Sequence, residues 1–180
     1  MSAFARTFDL DPSYFEKFLD YRLLNDPGTL STLRFNFYPL MKKPHGNLMG
    51  TNHDQSLSCD EHYDNCMLTL LYQHEVGGLQ IKTTDGRWID IDVIPYSFVL
   101  NIGKGFERWT NGHVKAIFHR VKFLNEERLS IPFFLEGCYS TSIIPIVKDG
   151  EEAKYEPVNY GAYVLESNKA HKEYQRDDGV

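Results

Sequence analysis

This 180-residue chain is poor in several things, and each scarcity removes a class of protein. Cysteine occurs three times, at Cys59, Cys66 and Cys138, with no CxxC spacing. An odd, scattered set of that kind is neither a disulfide framework nor a zinc ribbon; it suits a reducing compartment and mostly buried thiols. Positive charge is outnumbered, 19 Lys and Arg against 25 Asp and Glu, for a formal net charge of -6. That leaves no electrostatic footprint for nucleic acid and no polybasic patch for a membrane surface. No segment approaches the roughly 20 apolar residues of a membrane-spanning helix, and the start, "MSAFARTFDL", lacks the apolar run of a signal peptide. Repeats, low-complexity tracts and a clear internal linker are also missing, and "GKG" at 103–105 is too short to cradle a phosphate. The expectation is a soluble, cytoplasmic protein of one domain, with no nucleic-acid partner and no membrane.

Core-forming residues are plentiful. The chain is 42% hydrophobic and 14% aromatic, and a domain of this length buries about 70% of its unfolded surface, enough to stand without staples. Near the start, Asp11 is a candidate helix cap, Pro12 suits a first helical position, and Phe15, Phe18, Leu19 and Leu23 recur at helical spacing. Strand signals then take over. In "STLRFNFYPL" (31–40), Leu33, Phe35 and Phe37 share one face, while Arg34, Asn36 and Tyr38 share the other. Residues 41–60 read as a long loop, a length that is usually functional or mobile. "CMLTLLYQ" (66–73) has strand length; "GGLQIKT", a "DGR" turn and "WIDIDVI" read as a hairpin; strands are predicted at 96–103, 115–123 and 128–134, and a closing helix within 159–175. Many short strands with regular turns imply a sandwich or barrel.

Chemistry concentrates in a few positions. In "EHYDN" (61–65), an extended backbone projects His62 and Asp64 to one side. The neighbouring pair His53 and Asp54 is adjacent in sequence, so its members would diverge, and it makes the poorer chelate. His119, flanked on its own face by Ile117 and Val121, is predicted to point inward, as a third ligand or as a hydrogen-bonded core histidine. In "ERLSIPFF", Arg128 and Ser130 share a face with Pro132. An inward arginine is costly without an anion, and its planar fork with a neighbouring hydroxyl suits a carboxylate. Two histidines and a carboxylate on strands form a facial triad suited to non-haem Fe(II). His45 and His53 are candidates for a pocket rim; His74 is expected in a turn, His113 and His171 at the surface, and Trp88 and Trp109 in packing.

"HYDNCMLTLLYQHEVGGLQI", "DGRWIDI", "FVLNIGKGFERWTNG" and "FHRVKFLNEERLSIPFF" together resemble the Fe(II)- and 2-oxoglutarate-dependent dioxygenases of the isopenicillin N synthase-like class, from about residue 31 to about 146. The resemblance implies a mainly β double-stranded β-helix, a jelly-roll, cupin-like barrel flanked by N-terminal and C-terminal helices. It implies that His62, Asp64 and His119 bind iron, that Arg128 and Ser130 hold a carboxylate of 2-oxoglutarate, and that Tyr38, with Asn36 on the same face, lines the cosubstrate site. Fe(II), 2-oxoglutarate and O2 are the implied cofactors. The implied reaction couples oxidative decarboxylation of 2-oxoglutarate to oxidation of a small organic substrate, with no catalytic side chain beyond the metal ligands. Residues 1–180 are expected to be a single catalytic core lacking most of the family's N-terminal helical region. Three alternatives stand beside this reading: an isopenicillin N synthase-like oxidase, whose substrate carboxylate would occupy the Arg128/Ser130 site; a non-catalytic barrel or truncated binding module; and, more weakly, a zinc hydrolase.

Overall fold

The computed structural model describes residues 1–20, 29–40 and 57–169. A short helix α1 (Ser2–Thr7) and a single 3-10 turn (Glu16–Phe18) come first. Strands β1 (Thr32–Leu33), β2 (Asn36–Tyr38), β3 (Leu57–His62), β4 (Leu68–Gln73), β5 (Leu79–Lys82), β6 (Trp88–Asp90) and β7 (Val99–Ile102) follow. Helix α2 (Lys104–Trp109) leads to β8 (His119–Lys122), β9 (Arg128–Leu135), β10 (Ser142–Ile143), β11 (Val158–Asn159) and helix α3 (Tyr160–Lys169). The fold is mainly β, a jelly roll. One large sheet has the order β1-β9-β4-β7, with β2 also on β9, a second has the order β3-β8-β5-β6, and β10-β11 form a small third. Every pairing is antiparallel. Residues of both larger sheets line one cavity, so these two face each other across it.

The main apolar core lies outside that cavity. Ala5, Phe15, Leu19, Met67, Phe106, Trp109, Ile143 and Tyr160 are all essentially inaccessible and pack as one cluster where α1, α2 and α3 meet. Phe15 meets Trp109 edge-on at 4.9 Å and Phe106 at 5.3 Å. This cluster overrides the helix expected from Asp11 onward. Asp11 does cap, its Oδ1 accepting the Ser13 amide at 2.8 Å, but it caps a turn. Beyond the 3-10 turn, Leu19 is extended and bridges Gly137. Burying Phe15 and Leu19 is worth about 1.5–3 kcal/mol each, against helix propensities that differ by at most about 0.7 kcal/mol per ordinary residue. Leu23 lies outside the described residues, and so do His45, His53, Asp54 and His171.

Further differences from the sequence reading are local. The stretch read as a loop to residue 60 already forms β3 from Leu57, because its backbone pairs with β8. The strand expected from residue 96 starts at Val99; Tyr96 has a φ of 61° and belongs to a turn. Helices α1 and α2 carry no strong sequence signal and were not expected. The hairpin β5-β6, strands β4 and β9, and a C-terminal helix through Lys169 are as predicted. Trp109 is core, and His113 is a surface partner of Glu151 at 2.8 Å. Among the described residues no helix is long and apolar enough to cross a membrane.

The alternating segment 31–40 is oriented polar side in. Arg34, Asn36 and Tyr38 line the cavity; Phe35 and Phe37 also border it but are 67% and 62% exposed. Leu33, Phe133, Leu70 and Leu100 stand in register across β1, β9, β4 and β7 on that outer face. The cavity side of this sheet mixes polar groups (Asn36, Tyr38, Thr69, Asn101, Arg128 and Ser130) with Leu71, Pro132 and Phe134.

Candidate metal centre

His62 ends β3 and His119 opens β8, and the two are register partners. A straight β3 would not put His62 there. Cys59 pairs with Val121 and His62 with His119, three residues against two, so a bulge sits between them. Bulges re-aim side chains, and this one lets both Cys59 and His62 face the cavity. Asp64 follows two residues later on the same side. Its Oδ1 lies 3.6 Å from His62 Nε2 and 3.7 Å from His119 Nε2, and the three donor atoms all fall within 4.8 Å of one another. His119 and Asp64 are buried, and His62 is half-buried.

Hydrogen bonds around the triad assign its protons. His62 Nδ1 donates to the Asp60 carbonyl at 2.7 Å, and His119 Nδ1 donates to the Ile117 carbonyl at 3.0 Å. A carbonyl can only accept, so each ring carries its proton on Nδ1 and turns the Nε2 lone pair toward Asp64, the arrangement metal-binding histidines adopt. The other carboxylate oxygen, Asp64 Oδ2, accepts the Thr69 hydroxyl at 2.6 Å, which leaves Oδ1 for the histidines. Two imidazoles and one carboxylate suit a divalent ion with open positions; the donor set fits Fe(II).

Across the same cavity, of about 460 Å3, lies a cation. Arg128 is 3% exposed, and among the described residues no carboxylate lies within ion-pair distance of it. Its Nε donates to the Gly77 carbonyl at 2.5 Å and its Nη1 to Ser130 Oγ at 3.1 Å. Its guanidinium carbon lies 4.8 Å from the Tyr38 ring centre. Burial lowers its pKa and raises that of the Tyr38 hydroxyl. The sheet register explains the cluster, since Tyr38 stands opposite Arg128 and Asn36 opposite Ser130. A buried charge without a countercharge is expensive, so this wall is built for an anion.

The structure therefore brings His62, Asp64, His119, Arg128, Ser130, Tyr38 and Asn36 to one cavity. Sequence reasoning missed Thr69, whose contact with Asp64 depends on the fold of the intervening turn. It also missed Asn101, buried on β7, and Arg34 and Phe134, which line the cavity wall. Glu136 went unnoticed as well. Burial, with Asp20 and Asp64 nearby, raises its pKa to about 8, although the Tyr160 hydroxyl that it accepts works the other way.

The sequence pattern of the 2OG-Fe(II) oxygenase superfamily matches residues 29–137. Isopenicillin N synthase of Streptomyces clavuligerus is 38% identical over 157 residues, 86% of this chain and 47% of that protein. A 2-oxoglutarate-Fe(II) type oxidoreductase of Aspergillus fumigatus is 31% identical over 176 residues, 93% of this chain and 47% of that protein. Among solved structures, full-length T7H of Neurospora crassa in complex with alpha-KG superposes with a TM-score of 0.78 at 30% identity, over 93% of this chain and 55% of that one. The same protein has been crystallised with alpha-KG and thymine. The chain spans about half the length of the curated relatives it matches.

Proposed function

Because the chain belongs to the 2OG-Fe(II) oxygenase superfamily, we propose that residues 1–180 form a catalytic core that oxidises a small organic substrate at the expense of 2-oxoglutarate and O2. Bound Fe(II) and 2-oxoglutarate supply the oxidising chemistry, the cosubstrate being decarboxylated to succinate as O2 is consumed. His62 and His119 offer Nε2 to the metal and Asp64 offers Oδ1. The Asp60 and Ile117 carbonyls hold the imidazoles in that tautomer, and Thr69 holds the remaining carboxylate oxygen. Arg128 and Ser130 bind the far carboxylate of 2-oxoglutarate, with Tyr38 and Asn36 alongside. No side chain is required as acid or base.

One observation carries this reading: a buried arginine with no carboxylate partner among the described residues lines the same cavity as a two-histidine, one-carboxylate cluster. Structural neighbours crystallised with alpha-KG and thymine, or with 2OG, Fe and JA, support a small organic substrate. The composition favours a cytoplasmic setting. The likeness to isopenicillin N synthases favours a second reading, in which a carboxylate of the substrate itself occupies Arg128 and Ser130. Measuring O2 uptake and succinate together separates the two. Fe(II)-dependent O2 uptake with succinate release supports the first. Uptake without succinate replaces it with the second, and no Fe(II) binding in anaerobic titration overturns both.

A further inference from the structure

Beside the main cavity lies a second hollow of about 260 Å3. It shares His62 and Asp64 with the main cavity but includes neither Arg128 nor Ser130. Arg34 and Phe134 line both spaces, with the Arg34 guanidinium carbon 5.3 Å from the Phe134 ring centre, so the pair forms a wall common to the two. Binding pockets for drug-sized ligands run to about 300–1,000 Å3; this one suits a smaller molecule, such as a single ring.

Glu136 lines only the second hollow. One of its carboxyl oxygens, Oε2, accepts the hydroxyl of fully buried Tyr160 on α3. Among the described residues the other oxygen has no hydrogen-bond partner, and no cation lies within ion-pair distance. As a mere tether for Tyr160, an acidic group is a poor choice here, because Asp20 and Asp64 both add negative charge to its surroundings. Uncharged, the carboxyl keeps Oε2 as its carbonyl oxygen, whose second lone pair can accept an N–H beside the Tyr160 hydroxyl, while the other oxygen donates its O–H to an adjacent carbonyl, the complement of an amide.

We propose that this hollow is the substrate subsite and that Glu136 is its recognition residue, selecting small neutral molecules that offer an amide or imide N–H. The inference rests on the metal assignment above, since it is His62 and Asp64 that set the hollow against the reacting centre. On the shared wall the Arg34 guanidinium over the Phe134 ring gives a flat surface for a planar group.

The test uses the full chain loaded with Mn(II), as a stand-in that does not turn over, with 2-oxoglutarate. Thymine and succinimide are each titrated calorimetrically against their fully N-methylated counterparts. Loss of the N–H should weaken binding at least about tenfold, the scale expected for stranding a buried polar group. Glu136→Leu should abolish that preference, whereas Glu136→Gln, whose one carbonyl oxygen can accept from both Tyr160 and the ligand and whose NH2 replaces the O–H donor, should largely retain it. Affinity for 2-oxoglutarate should be the same in all three proteins. N-methylated probes binding as well as their parents, no N–H probe binding at all, or a preference that survives Glu136→Leu would each overturn the proposal. If the leucine variant fails to fold, the wild-type comparison of parent and methylated probes decides alone. Failure of 2-oxoglutarate to bind would instead count against the proposed function, and the N–H preference, measured with Mn(II) alone, would still decide the subsite.

Discussion

His62 and His119 face each other as register partners across β3 and β8, with ring centres 4.2 Å apart and both Nε2 atoms turned to the same Asp64 oxygen. Two residues far apart in sequence thus become candidate ligands of one metal ion through a single antiparallel pairing. The pairing carries a bulge, so the site depends on backbone register as much as on residue identity.

Removing His119 should therefore remove the metal. His119→Ala is expected to weaken Fe(II) binding by more than about 100-fold, because loss of mere supporting partners already costs 10–100-fold. Anaerobic titration monitored by metal analysis checks this; stoichiometric iron in the variant would contradict the assignment.

Thr69 is such a supporting partner. Thr69→Val keeps the shape of the side chain and deletes the hydroxyl bonded to Asp64 Oδ2. The expected result is a metal affinity lower by about 10–100-fold, with a melting temperature lower by only a few degrees, the cost of about 1–3 kcal/mol for an unsatisfied buried acceptor. Metal competition and thermal unfolding on the same sample test the two halves.

Arg128→Lys preserves charge but not the fork. Lysine offers a point charge and cannot bind a carboxylate in bidentate fashion. Affinity for 2-oxoglutarate should fall at least about tenfold, while affinity for Mn(II) alone stays constant. Calorimetric titration of 2-oxoglutarate into the Mn(II)-loaded chain measures it, and an unaltered affinity would remove Arg128 from the cosubstrate site.

The buried Glu136 carboxyl makes stability depend on pH. Its ordinary value is 4.5 and burial raises it to about 8 in the fold. Between these values the native state holds a proton that the unfolded chain has released. Stability is therefore fully present below about 4.5 and is lost as pH rises through about 8. Glu136→Gln should flatten that slope and gain stability over the wild type most clearly near pH 8. Denaturant midpoints at about pH 5 and about pH 8 test the sign; parallel profiles would show that Glu136 does not titrate there.

Gly103 fixes the turn that carries Asp64. A Cβ at this position would lie 2.0 Å from the Cys66 carbonyl oxygen, and the Gly103 amide donates to the Met67 carbonyl at 3.0 Å. The obstructing atom is backbone, so Gly103→Ala must displace the 64–67 segment. Overpacking of this kind costs about 1–3 kcal/mol, or about 2–4 °C in Tm per kcal/mol for a chain of this length. Metal affinity should fall with it, which distinguishes this variant from a purely structural lesion elsewhere.

Much of the site was readable because it depends on period. Alternation alone aligned His62 with Asp64, Arg128 with Ser130, and Asn36 with Tyr38, and the structure turns each pair into one cavity. It could not supply Thr69, Arg34, Phe134 or Glu136 as site residues, since each acquires its role from a neighbour brought in by folding. It also misjudged the segment from Asp11. Helical spacing of Phe15, Phe18 and Leu19 is real, but those side chains serve an aromatic cluster that takes them from a turn.

The sequence by itself determined the kind of chemistry: which donors exist, in what order, and on which strand faces they fall, because side-chain alternation along a strand is a local property of the backbone. Tertiary structure decided the rest. It set the β3–β8 register that brings His62 and His119 together, the burial that leaves Arg128 in need of an anion, and the meeting of the β9 end with α3 that gives Glu136 its place beside the candidate metal ligands. Distances between strands and the dielectric around a charge are properties of the packed molecule, and no local pattern encodes them.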